Sequence, residues 1–341
     1  MKERILKYLE EKGLELKDPD LLAYLNKGIE INDSDELKHD FLTSFPEHHN
    51  ESWYFNFIDF NANVHMVSRI GFEMGKKRAV TMLLLVADRK SEAYGNVIPL
   101  EKMPDEITDK KIKYECIEPF KKWRITAKHR KFDLDIISEA RFPPFNYLKG
   151  EDPIELIDRF GIEMLDVAAQ MHYEQGMKVT GKVILKKKDE AGKKIEEVRE
   201  INCFGHRDHS WGTRDWVNID KWNWISAQFD DRTINIARIE VFGKIVYSGF
   251  VSTKEKNIPV KKVDVETTYG YNDNPKWPQS TKFTIQTEEE TFIVVSKTYK
   301  SLNLQRPSEK GITEIFEQIV EFEMDGKKGT GISEYMMSVK N

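Results

Sequence analysis

Cysteine is nearly missing from this chain: Cys116 and Cys203 are the only two in 341 residues. Two cysteines make no disulfide framework, so stability must come from buried apolar surface, and the composition fits a reducing compartment. Long apolar runs are missing too. The longest, Met82-Leu83-Leu84-Leu85-Val86-Ala87, has the length of a buried strand and falls far short of the ~20 residues that a membrane-spanning helix needs. The opening Met1-Lys2-Glu3-Arg4 is charged and leads into no apolar signal-peptide core. A cytoplasmic protein without a membrane span is the expectation. An excess of basic charge is also lacking. Lys and Arg total 53 against 58 Asp and Glu, for a net charge of −5 and a pI of about 6.0, which argues against a nucleic-acid partner. Lys186-Lys187-Lys188 reads as a solvated hairpin end, and Gly326 to Gly331 as a hairpin turn without phosphate-loop spacing. Nothing in the sequence specifies an oligomeric state.

What is present is β texture. Hydrophobic residues make up 39% and aromatics 11%, enough for sizeable cores, and the length suggests two domains. Helical spacing marks residues 2–14, a short helix after Asp18-Pro19-Asp20, and another near Ser34 to Phe41. From about residue 50, short alternating segments separated by Gly, Asn, Asp and Pro predict strands. They fall at 53–60, 65–73, 79–88, 123–127, 131–137, 178–187 and 196–204, then at 222–229, 233–242, 245–252, 281–287, 291–298, 316–323 and 330–339. A helical stretch at 153–170 interrupts them and marks a boundary. Self-comparison supports it. A shift of 169 residues lays Trp53 on Trp222, Phe55 on Trp224, Arg69 on Arg238 and Ile70 on Ile239; a shift of 160 lays Trp123 on Phe283 and Phe132 on Phe292. A tandem duplication of up-and-down strands predicts two antiparallel barrels or strongly curved sheets, each able to enclose a small ligand. The expected division is a helical segment at 1–45, a first barrel at 46–170 and a second at 171–341.

Chemistry concentrates in Gly205-His206-Arg207-Asp208-His209-Ser210-Trp211-Gly212-Thr213-Arg214-Asp215-Trp216. Read as a strand with period two, one face carries Ile201, Cys203, Arg207, His209 and Trp211, and the other His206, Asp208 and Ser210. The first face is the more apolar and is assigned to the cavity. On the segment opening at Met171, Tyr173 and Gln175 share the apolar face and Glu174 points away. His206-x-x-His209 with Asp208 is a possible metal set, but the two imidazoles would point to opposite faces, so no metal site is expected. His48-His49 is read as a solvated loop, and His65 as a packing residue.

Several of these segments resemble the AttH-like family, which includes carotenoid hydratases of the hydroxyneurosporene synthase type. The matching pieces are Glu51-Ser52-Trp53-Tyr54-Phe55-Asn56-Phe57, His172-Tyr173-Glu174-Gln175, Arg207-Asp208-His209-Ser210-Trp211-Gly212 and Gly329-Thr330-Gly331-Ile332-Ser333-Glu334-Tyr335. The resemblance covers roughly residues 50–340 and implies a mainly β fold of two tandem lipocalin-like (calycin) barrels. It also implies an apolar small-molecule ligand of isoprenoid- or polyketide-like skeleton. The expected activity is cofactor-free acid–base hydration, isomerisation or cyclisation. His209, Asp208, Arg207 and Glu174 are the candidate catalytic residues. Trp211, Trp216, Tyr173, Gln175, Trp53, Trp224 and Arg214 are the candidate ligand-binding residues. Trp and Tyr ring faces would stabilise developing positive charge, and Arg207 or Arg214 would grip an oxyanion. Two alternatives remain open: a non-catalytic carrier of a lipophilic ligand, and a structural protein with filled barrels. In the latter, Arg207, Asp208, Arg214, Asp215 and Glu174 form a buried ion-pair network.

Overall fold

The computed structural model describes residues 2–13, 31–39, 49–147, 154, 158, 170–213, 219–241, 243–308 and 311–340. Contacts divide the chain into two compact units. One comprises Glu30–Pro144 and His172–Gly212; the other comprises Met1–Ile29, Phe145–Met171 and Thr213–Asn341.

The first unit is a curled antiparallel sheet. Its strands are β1 (His49–Asp59), β2 (Val64–Glu73), β3 (Arg78–Ala87), β4 (Lys90–Pro99), β5 (Ile107–Thr108), β6 (Ile112–Glu118), β7 (Lys122–Lys128) and β8 (Phe132–Ala140). After β9 (Phe145–Asn146) come β10 (Gln170–Lys188) and β11 (Lys194–Thr213). The strand order is β4-β3-β2-β1-β11-β10-β8-β7-β6-β5, and among the described residues its two ends do not pair. Alternation decides what faces in. Trp53, Phe55 and Phe57 of β1 join Ile125, Ile136 and Val179 in one buried apolar cluster, while intervening residues point the other way. Short 3₁₀ geometry at Asp33–Glu36 places Asp35 and Glu36 in buried positions beside this face.

β1 and β11 pack backbone to backbone at Gly205. A Cβ there would lie 2.2 Å from the Asn56 carbonyl oxygen and 2.9 Å from Val179 Cγ2. Gly205→Ala is therefore expected to destabilise the protein by roughly 1–3 kcal/mol or more. An unchanged urea midpoint would refute that close approach.

The second unit holds a closed barrel of eight antiparallel strands, which has no open edge. They are β12 (Ile219–Gln228), β13 (Thr233–Val241), β14 (Lys244–Ser252), β15 (Asn257–Tyr269), β16 (Pro278–Thr287), β17 (Thr291–Ser308), β18 (Gly311–Met324) and β19 (Lys327–Lys340). Its interior is filled at one end by Ile225, Ile236, Val263, Phe283, Val294 and Val320. The same unit contains helix α1 (Lys2–Lys12), with Ile5 and Leu9 buried at helical spacing.

The mainly β lipocalin-like fold is as expected, with four differences. First, β10 and β11 pair within the first sheet, so strand pairing runs past the boundary expected at residue 170. Second, β4, β6 and β15 were not among the expected strands. β4 is largely exposed, with little apolar alternation, and the β15 pattern is broken by a register shift between Val260 and Lys262. Third, the expected repeat holds in register but not in facing. Trp53 pairs with Ile70 and Trp222 with Ile239, a shift of 169 on both strands, yet Trp53 lies in the apolar core whereas Trp222 and Trp224 share the outer barrel face. The later hairpin matches at 158 rather than 160, since Trp123 pairs with Ser138 and Thr281 with Ser296. Fourth, His49 is buried at the start of β1 rather than solvated. The helices expected after Asp18 and at 153–170 fall almost wholly outside the described residues.

Candidate functional site

Period two along β11 and β10 gathers the polar residues of the inner face. Arg207, His209 and Trp211 of β11 lie on the same face as Tyr173 and Gln175 of β10 and Glu51 and Trp53 of β1. Arg207, His209, Glu51 and Glu36 have fully buried side chains, at 0% exposure. Burying that many charges is tolerable only if each is paired.

Glu36 is the hub of one half. Its Oε1 accepts from Arg207 Nη2 at 2.8 Å and from the Tyr173 hydroxyl, and its Oε2 accepts from Trp123 Nε1 at 2.7 Å. Burial pushes its carboxyl up, but the Arg207 charge and these hydrogen bonds outweigh it and hold the group below the usual carboxylate range. Gln175 aims the arginine. Its Oε1 accepts from Arg207 Nε at 3.0 Å and Nη2 at 2.7 Å, while its own Nε2 donates to the Phe120 and Phe142 carbonyls at 2.9 and 2.7 Å.

Glu51 is the hub of the other half. It accepts from His39 Nδ1 at 2.8 Å, from the His39 backbone N–H at 2.9 Å and from His209 Nε2 at 3.0 Å. The other ring nitrogen of His39 lies 3.3 Å from Asp35 Oδ1. A histidine between two carboxylates donates from both nitrogens. Burial opposes its charge, but the bonds to Asp35 and Glu51 win and raise its pKa to about 9. Burial likewise opposes the Glu51 charge, and the bonds from His209 and His39 pull that carboxyl down to about 2. His209 has only one carboxylate partner. Burial dominates there and pushes its pKa down, with the His39 charge helping against Glu51. The rings are held by stacking: His209 lies 4.4 Å from Trp53 and His39 4.0 Å from Trp211, centroid to centroid.

Tyr173 joins the two halves. Its hydroxyl contacts Glu36 Oε1 and lies 3.1 Å from His209 Nδ1. A neutral His209 that donates Nε2–H to Glu51 leaves Nδ1 as an acceptor. One phenolic proton then faces two side-chain acceptors, a carboxylate and an imidazole, with the Asp35 backbone carbonyl farther off at 3.4 Å. Burial and the Glu36 charge raise the Tyr173 pKa well above its ordinary value, so the proton stays in this group.

The pH dependence follows in sign. The folded pKa of His39 is raised, so its contribution is complete below its ordinary 6.5 and is lost as pH rises through about 9. Glu51 is depressed, so its contribution is complete above 4.5 and is lost as pH falls through about 2. The two shifts report one bond from its two ends and are not added. His39→Gln is expected to remove a stability loss on the order of 3 kcal/mol between pH 6.5 and 9.5. Equal slopes of urea midpoint against pH in variant and wild type would contradict this.

The expected site residues therefore divide. Arg207, His209, Trp211, Tyr173, Gln175 and Trp53 come together. Asp208 and Glu174 lie on the opposite face, where Glu174 sits 3.0 Å from His172 Nε2 and 2.5 Å from His206 Nε2. Trp224 belongs to the barrel unit, and Arg214 and Trp216 fall outside the described residues. The sequence reading missed Glu36, His39, Glu51 and Trp123. Two groups have ligand atoms within 4.8 Å of one another and could hold a metal ion: His39 with Glu51 and His209, and His172 with Glu174 and Asp208.

A family model described as Domain of unknown function (DUF7064) matches residues 32–339. No curated protein matches the sequence. Among solved structures, the chain is similar to a protein assigned as AttH from Nitrosomonas europaea, with a TM-score of 0.64, 13% identity, and 92% of this chain and 97% of that one covered. It is also similar to kievitone hydratase from Nectria haematococca, with a TM-score of 0.56, 12% identity and 91% and 95% covered. For CghA, which has also been solved with Sch210972, the TM-score is 0.58 at 10% identity, with 86% and 89% covered. At these identities the likeness is one of fold, and that fold is the AttH-like lipocalin arrangement.

Proposed function

The chain belongs to the DUF7064 family, and we propose that it binds an apolar small molecule in the first unit and transforms it by acid–base chemistry. The reaction class is hydration, isomerisation or cyclisation. The single observation that carries the reading is the Tyr173 hydroxyl placed between Glu36 and His209 Nδ1, with one proton for two acceptors. Such a group can deliver a proton to an alkene or carbonyl and recover it through His209. Glu51 holds His209 in the tautomer that accepts at Nδ1, and Gln175 holds Arg207 against Glu36. Trp53, Trp123 and Trp211 supply ring faces for positive charge developing on a substrate. In this reading Glu36 and Glu51 take the carboxylate roles expected of Asp208 and Glu174. The AttH-like fold and the hydratase among the structural relatives favour a substrate of isoprenoid- or polyketide-like skeleton.

One observation favours a second reading. Every acceptor of Glu36 and Glu51 is occupied and their side chains are fully buried, as in a purely structural ion-pair network. Organic extraction of denatured protein followed by mass spectrometry tests the binding half. A stoichiometric apolar compound, lost when Trp211→Asp is introduced, is the expected result. A compound that co-purifies equally with that variant, or none at all in wild type, would count against a ligand site in this unit.

A further inference from the structure

The closed barrel carries an unassigned feature of its own. Strand pairing fixes which side chains enter its lumen. Ile225 pairs with Ile236, and two residues along the same strands Asn223 pairs with Arg238. Arg238 in turn pairs with Tyr247, and Asn223 with Tyr335. Period two therefore puts Arg238, Asn223, Tyr247 and Tyr335 on the lumen face that holds the apolar core. Exposure changes along that face. Ile225, Ile236 and Phe283 are at most 1% exposed, whereas Asn223, Arg238, Tyr247 and Thr267, one step nearer the end, are only half-buried. Among the described residues, the lumen is packed with apolar side chains at one end and lined by half-buried polar ones toward the other.

Arg238 stands at this polar end, half-buried and without a hydrogen bond or ion pair among the described residues. The nearest polar groups across the strands are neutral hydroxyls and amides that bond to one another. The Tyr335 hydroxyl bonds to Thr267 at 3.1 Å and to Thr281. Asn303 faces the same cup, across from Phe316, and its buried Oδ1 has no partner among the described residues. Glu240 shares the lumen face two residues toward the rim and makes no ion pair with Arg238 among the described residues. By strand pairing, the half-buried Arg238 guanidinium and the Asn303 carbonyl line the lumen face next to an apolar floor of Ile225, Ile236 and Phe283. We propose that this polar end of the barrel lumen is a binding site for a small organic carboxylate, whose anion the Arg238 fork holds and whose hydroxyl donates to Asn303. The ring or short chain of such a ligand rests on the apolar floor. The site is separate from the acid–base cluster and does not rest on that reading.

The test uses 4-hydroxybenzoate as probe, titrated calorimetrically into the full chain. Binding in the micromolar to millimolar range is expected, at least tenfold weaker for Arg238→Gln and for the methyl ester of the probe. Arg238→Lys, which keeps the charge but loses the fork, should fall between. Arg232→Gln, removing an arginine paired with Asp231 and Glu290, and Tyr173→Phe should bind as wild type does. Melting curves establish that each variant is folded, and either Arg238 variant suffices if the other is not. Absence of binding to wild type up to about 10 mM would overturn the proposal. So would equal affinity for a folded Arg238 variant, or for the ester.

Discussion

Arg207→Ala is expected to cost about 3–5 kcal/mol of stability, because it strands the fully buried Glu36 carboxylate. For a unit of this size, that corresponds to a fall in melting temperature of roughly 6–20 °C. The cost comes from what is left behind rather than from the pair itself. Glu36 would keep donors from Tyr173 and Trp123 but lose the only full positive charge it contacts among the described residues. Gln175 would lose both bonds that its Oε1 accepts. A double variant, Glu36→Gln with Arg207→Met, removes both charges together. It should recover most of the loss, as paired apolar or neutral replacements of buried ion pairs do. A single variant that melts within 2 °C of wild type would mean that solvent reaches this cluster and that the burial described here is wrong.

Tyr173→Phe is expected to lower turnover by roughly 10²–10⁴-fold, the range for losing a positioned acid–base group. Its effect on stability should be smaller, about 1–3 kcal/mol, because one neutral hydroxyl is removed and the ring stays in place. That contrast separates the two readings of the cluster. In a structural network Tyr173 is one contact among many, and Arg207 matters far more. In an acid–base site the order is reversed for rate: Tyr173 carries the proton, while Gln175 and Glu51 act by positioning Arg207 and His209. Gln175→Leu should then weaken activity less than Tyr173→Phe does, and Gln175→Glu should disturb the Arg207 geometry without touching the Tyr173 proton.

Much of this was legible in the sequence, and the reason is periodicity. Arg207, His209 and Trp211 alternate with His206, Asp208 and Ser210, and a strand must place those sets on opposite faces. The more apolar set turned inward, bringing Tyr173 and Gln175 to the same place from β10. What the sequence hid was distance. Glu36 reaches Arg207 across 171 residues, from a short 3₁₀ turn in a stretch whose pattern indicates only a helix near Ser34 to Phe41. His39 lies in the same segment, and nothing local indicates that its ring will stack on Trp211. Glu51 could have been found: an acidic residue in phase with Trp53, Phe55 and Phe57 must face the core, and a buried carboxylate requires partners. The repeat was visible in register, but register and facing are separate properties. Trp222 occupies the place of Trp53 in the hairpin and the opposite face of the sheet. β4 escaped because it has little apolar face to alternate.

The most direct test of the acid–base account is deuterium delivery. Protein is incubated in D2O with the compound extracted from it, or with the apolar compounds that its skeleton suggests, and the products are weighed by mass spectrometry. The account calls for solvent deuterium at carbon in a wild-type product, and for its loss by at least a hundredfold in a Tyr173→Phe variant that still melts cooperatively. Equal deuterium incorporation by wild type and variant would contradict it and leave the buried cluster a structural element of the fold.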